Sequence, residues 1–96
     1  MRLTADTSCT DKRSYRLDVA GVTVAEWVGA LESLRSGPQL PGSNRYSVLG
    51  HDVLLVERTG RIQVRVALDV AKHDRRVAAE RVVAALLRRL LAQREL

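Results

Sequence analysis

The sequence predicts an α+β domain of β-α-β-β-α order: a two-layer sandwich whose mainly antiparallel sheet of three to four strands carries both helices on one face. Three observations lead there. Ile62, Val64, Val66, Leu68 and Val70 alternate with Gln63, Arg65, Ala67 and Asp69, the period of a half-buried strand. Thr23 and Glu26 form a T-x-x-E capping box ahead of apolar residues at helical spacing, the mark of a helix start. The stretch from Asp74 to Arg94 contains neither Gly nor Pro and is rich in Ala, Leu and Arg, which favours a long helix.

Taken in chain order, residues 1–12 show no periodicity and are rich in Thr, Ser and Asp. They read as a flexible leader, with residues 13–96 forming one domain. From Ser14 to Ala20 the chain alternates, Tyr15, Leu17 and Val19 on one side and Arg16 and Asp18 on the other, so a strand is expected that Gly21 bends away. The helical signal spans the segment from Val22 to Arg35. Val22 and Trp27 occupy its two staple positions, and Trp27 shares the apolar stripe with Val24, Val28, Leu31 and Leu34, which assigns the tryptophan to the core rather than to an interface.

Gly37-Pro38 ends that helix, and residues 36–44 form a loop. Residues 45–57 read as extended chain with a bend or bulge at Gly50-His51-Asp52. A three-residue Arg58-Thr59-Gly60 loop, preferred over a two-residue Thr59-Gly60 turn, then sets Glu57 against Arg61 and Val56 against Ile62. The last helix starts on Asp74 as its cap. It buries Ala79, Val82, Val83, Leu86, Leu87 and Leu90 and turns Arg81, Arg88 and Glu95 to water.

Composition narrows the functional classes. The net charge is +5, and every basic residue except Lys12 and Lys72 is arginine, which suits phosphate neutralisation. The same chain has no Phe, one Ile and a heavy reliance on Ala, Val, Leu and Arg, the residues that GC-rich codons favour. Cys9 is the single cysteine, so no internal disulfide forms and a reducing compartment fits. Neither the roughly 7–15-residue apolar run of a secretory signal nor the roughly 18 apolar residues of a membrane span is present. A soluble cytoplasmic protein is expected.

The chain shows no catalytic constellation. His51 and His73 have no nucleophile beside them, Cys9 lies in the leader, and His51-Asp52, adjacent on a strand, point to opposite faces. Two isolated histidines make no metal cluster. Gly37 and Gly42 have P-loop spacing, but Ser43-Asn44 stand where Lys-Ser/Thr is required. No enzyme, cofactor, metal or small-molecule ligand is implied.

Attention therefore moves to surfaces. The sheet face away from the helices, with Arg16, Gln63, Arg65 and Asp69, and the exposed strand edges would bind a protein partner or a second copy of the chain. The alternative is double-stranded RNA or DNA held by Lys72, Arg75 and Arg76 at the start of the last helix, with Arg58 and Arg61 at the hairpin tip. Basic residues at a helix start oppose its dipole, and anion binding would account for them.

Two resemblances bear on this choice. The strand, the Trp27-x-x-x-Leu31-x-x-Leu34 helix, the hairpin turning at Gly60 and the closing helix together resemble small actinomycete α/β proteins of the polymorphic-toxin immunity type. That resemblance spans most of residues 14–92 and implies a stoichiometric protein partner, although those proteins are mostly acidic and transfer no binding residue here. Arg75-Arg76-Val77-Ala78, followed by Val82-Val83 and Leu86-Leu87, resembles the C-terminal helix of double-stranded-RNA-binding domains. It implies phosphate contacts from Arg75 and Arg76. Ala79 stands where that family's third lysine belongs, and the sequence shows two strands between the helices where the family has three.

Overall fold

Alternating apolar residues give this chain more strands than expected, and pairing between distant segments recruits one that has no periodicity of its own. The computed structural model describes residues 1–6, 12–39 and 41–95. Its elements are β1 (Arg2–Ala5), β2 (Ser14–Asp18), α1 (Val24–Leu31), β3 (Ser43–Val48), β4 (His51–Val56), β5 (Arg61–Arg65) and α2 (Arg75–Arg94). Short 3₁₀ turns at Glu32–Leu34 and Lys72–Asp74 follow α1 and precede α2. The fold is α+β, with five strands in the order β1-β2-β5-β4-β3, all neighbours antiparallel.

Five expectations need correction. The first part of the leader is a strand, because Arg2 to Ala5 pair with Asp18 to Tyr15 along the outer side of β2. Residues 45–57 form two strands rather than one bent strand. Leu49 and Gly50 make a two-residue turn between Val48 and His51, both with positive φ (53° and 81°), as a type I′ hairpin requires. Three strands therefore separate the helices, not two.

The β4–β5 register differs by one residue. Leu55 faces Ile62 and Val56 faces Arg61, across a four-residue connection closed by the Gly60 amide donating to the Val56 carbonyl at 2.8 Å. The reason is burial. This register puts fully buried Leu55 and Val53 opposite Ile62 and Val64, whereas the expected one would send Leu54 and Val56 inward.

The alternation of residues 61–70 outlasts the strand. The Val66 amide donates to the Arg13 carbonyl and the Ala67 amide to His51 Nδ1, after which the chain turns and leaves Leu68 79% exposed. Asp74, finally, does not cap α2 through its side chain. Its backbone is helical (φ −99°, ψ −4°) as the end of a 3₁₀ turn, whereas a capping oxygen needs extended backbone.

The capping box itself forms as expected. Thr23 Oγ1 accepts the Glu26 amide at 3.1 Å, and Glu26 Oε1 accepts the Thr23 amide at 3.3 Å. Trp27, 2% exposed, lies in one core with Tyr15, Leu31, Tyr46, Val82 and Leu86. Inward residues of the sheet and the apolar faces of both helices share that core, so both helices cover the same side of the sheet. They run antiparallel: Arg94 near the end of α2 donates to Glu26 at the start of α1 (2.6 Å), and Arg89 to Ser33 (3.0 Å).

Candidate interaction face

With both helices on one side, the other side of the sheet carries alternate residues from every strand. Register aligns them in rows. The central row reads Thr4, Arg16, Gln63, Leu54 and Arg45 from one edge to the other. On one side of it run Ser14, Arg65, Asp52 and Ser47, and on the other Arg2, Asp18, Arg61, Val56 and Ser43. Five arginines and two aspartates thus stand on this face, with Asp6 beside Ser14 as a third acid.

Polar groups interlock both along and across the strands. Arg16 Nε lies 3.6 Å from Asp18 Oδ2, Arg45 Nη2 lies 3.5 Å from Asp52 Oδ2, and Gln63 Nε2 donates to Asp6 Oδ2 at 3.3 Å. A shallow concavity of about 440 Å³ lined by Asp6, Arg16, Val56, Arg61 and Gln63 lies at the centre. Exposed pairs of this kind contribute little stability. What they supply is a patterned set of donors and acceptors that a partner can match.

Both free edges are capped by side chains. The Glu57 amide donates to the Gly42 carbonyl, and the alternation of antiparallel pairs then turns the main-chain groups of Arg45 outward. Gln39 Oε1 accepts the Arg45 amide at 3.0 Å, and the Arg45 carbonyl accepts both Gln39 Nε2 at 3.2 Å and the Ser36 main-chain amide at 3.1 Å. At the other edge the same logic turns the Leu3 carbonyl outward, and Arg76 Nη2 donates to it at 3.1 Å. Strand addition is thereby opposed at these two positions.

Of the residues expected to bind protein, Arg16, Gln63 and Arg65 share the open face. Asp69 does not, because the chain has left the sheet before it. The expected basic footprint is divided. Lys72 and Arg75 lie beyond the end of β5, while Arg58 and Arg61 lie at its beginning; Arg76 turns its guanidinium back to the Leu3 carbonyl on the β1 edge. Arg76 is further engaged with Glu80 (3.3 Å), the Leu3 carbonyl and the ring of Tyr15, whose centroid is 6.0 Å from its guanidinium carbon.

Sequence reasoning missed Arg2, Thr4, Arg45, Asp52 and Leu54 as members of the face. For the last three, the alternation within residues 43–48 and 51–56 carried the signal; for β1 nothing did. His51 and Asp52 do point to opposite sides, His51 accepting the Ala67 amide and Asp52 meeting Arg45. Cys9 lies outside the described residues. Among the described residues no three His, Cys, Asp or Glu side chains are grouped to hold a metal, and no helix is long and apolar enough to cross a membrane.

Comparison with known proteins finds no matching family model, no significantly similar curated protein and no significantly similar solved structure. The reading of this chain rests on its own residues. All three of its aromatic residues, Tyr15, Trp27 and Tyr46, are buried at 8%, 2% and 0% exposure. Burial holds the Tyr46 phenol above its ordinary pKa. No ring is left for the open face.

Proposed function

We propose that this protein is a non-enzymatic interaction module that binds a protein partner, or a second copy of itself, through the open face of its sheet. The observation that carries the proposal is the face itself: five strands deliver arginine, aspartate, glutamine and two half-buried apolar side chains (Leu54 and Val56) to one helix-free surface. Mixed polar and apolar groups on a rigid sheet fit a protein surface. The capped edges favour the face over edge-strand addition as the binding mode.

A nucleic-acid reading draws support from one feature, the three strands between α1 and α2, which is the count found in double-stranded-RNA-binding domains. Against it stand the division of the basic footprint, the engagement of Arg76 within the fold, and the absence of any aromatic residue for base stacking on the face.

The two readings separate by experiment. Light scattering and affinity capture of the full chain are expected to reveal a dimer or one stoichiometric partner, lost on combined Gln63→Ala and Arg65→Ala substitution. A monomer whose interactions do not change with those substitutions refutes the face reading. Labelled duplex RNA and DNA titrated at low and moderate salt test the other. Salt-sensitive binding abolished by Arg75→Glu with Arg76→Glu would replace the proposal with the nucleic-acid one.

A further inference from the structure

The end of the molecule away from the β4–β5 hairpin carries a cleft of about 480 Å³ between the β3–β4 turn and the start of α2. Its apolar lining is Leu49, Val70, Val77 and Ala78, and its polar lining is His51, Asp74 and Arg81. Two of these apolar side chains are unusually bare: Leu49 is 63% exposed and Val77 49% exposed.

Leu49 is also a leucine at the first central position of a type I′ turn, with φ of 53°. Asn, Asp or Gly fills such a position without strain, and a branched apolar residue there meets a steric penalty. A bare leucine in a strained backbone, on the rim of a cleft with apolar walls, gains its compensation when something apolar covers it.

The polar groups define what that something carries. His51 Nδ1 accepts the Ala67 amide at 3.0 Å, so the neutral ring bears its proton on Nε2, a donor. Arg81 supplies a guanidinium two helical turns after Asp74 and has no ion-pair partner among the described residues. Asp74 approaches His73 Nε2 at 3.5 Å and would repel an acid seated against it.

We infer that this cleft binds an apolar carboxylate: its acid group on Arg81 and the His51 Nε2 proton, its hydrocarbon body across Leu49, Val70, Val77 and Ala78. The site is separate from the open face and does not depend on it.

The test is a titration of the isotopically labelled full chain with octanoate, followed by amide chemical shifts. Saturable shifts are expected at His51, Val70 and Ala78, with no saturation by octylamine. Arg81→Gln is expected to weaken octanoate about tenfold, the loss of one charge-assisted hydrogen bond, and Asp74→Asn to strengthen it. Leu49→Asn is expected to weaken binding while raising the melting temperature, a combination that a purely structural role for Leu49 would not produce. Gln63→Ala with Arg65→Ala leaves octanoate binding intact, so failure here is distinct from failure of the open-face reading. Non-saturating shifts, an equal response to octylamine, or indifference to Arg81→Gln overturns the inference.

Discussion

Replacing Thr23 with alanine probes how α1 is held, and its effect can be worked out from the structure. The helix has only eight residues, too few to persist on local propensity, so its end groups matter. Thr23 Oγ1 satisfies the Glu26 amide, and Glu26 in turn accepts the Thr23 amide with one oxygen and Arg94 Nε with the other. Loss of a threonine cap costs about 1 kcal/mol. For a domain of this size that corresponds to a fall in melting temperature of about 5 °C. Scanning calorimetry, with buried Trp27 as a fluorescence probe of the same transition, measures it. Thr23→Ser is expected to restore most of the loss. Because Glu26 joins the cap to Arg94, Thr23→Ala and Arg94→Gln are expected to be non-additive. A change below about 1 °C, no rescue by serine, or strict additivity would refute this account of the α1 terminus.

Three further perturbations follow from the same structure. Hydrogen bonding from Arg94, then from the Thr23 amide, holds the Glu26 carboxyl below its ordinary pKa. Its stabilising contribution is therefore present above the ordinary carboxylate range and lost as pH falls through the depressed value; Glu26→Gln is expected to flatten the acid limb of a stability–pH curve, and an unchanged limb contradicts this. Burial raises the Tyr46 pKa above 10.0, so the unfolded chain ionises first and stability falls as pH climbs past that value. Alkaline unfolding that coincides with tyrosinate absorbance is the expected result, and Tyr46 ionisation in the intact fold is the contrary one. Gln39→Ala uncovers the Arg45 amide at the β3 edge, while the Arg45 carbonyl keeps the Ser36 amide, so concentration-dependent association should increase in light scattering; unchanged association would show that the Gln39 cap is not protective.

Local chemistry was legible in the sequence, and long-range pairing was not. Thr23, Glu26 and Trp27 interact within one turn of helix, so spacing alone located them. The inward alternation of Ile62, Val64 and Val66 likewise reads directly as strand. By contrast, β1 exists because Arg2 to Ala5 find the outer side of β2, and four residues without periodicity give no hint of that. The β4–β5 register was decided by Leu55 meeting Ile62, not by the turn residues from which a three-residue loop was expected. Leu68 and Asp69 continue the alternation of β5, yet Arg13 and His51 take the Val66 and Ala67 amides and the chain turns away. The basic footprint grouped Arg58 and Arg61 with Lys72 and Arg75, residues that β5 holds apart at its two ends, and with Arg76, which the fold engages on the Leu3 carbonyl. The open face survived these errors because β2 and β5, which supply Arg16, Gln63 and Arg65, are neighbours at the middle of the sheet.

The most direct test of the central claim places a photo-crosslinking residue at Gln63, the middle of the open face, and, in a second variant, at Arg88, exposed on the helical side. Each full-length variant is irradiated in cells that carry the native partner complement. One saturable, stoichiometric adduct is expected from position 63, with a protein or a second copy of the chain. That adduct is expected to be lost when Arg16 and Arg65 are changed to glutamate and to be missing from position 88. Adducts that form from position 88 and not from position 63 would contradict the assignment of the open sheet face as the binding surface.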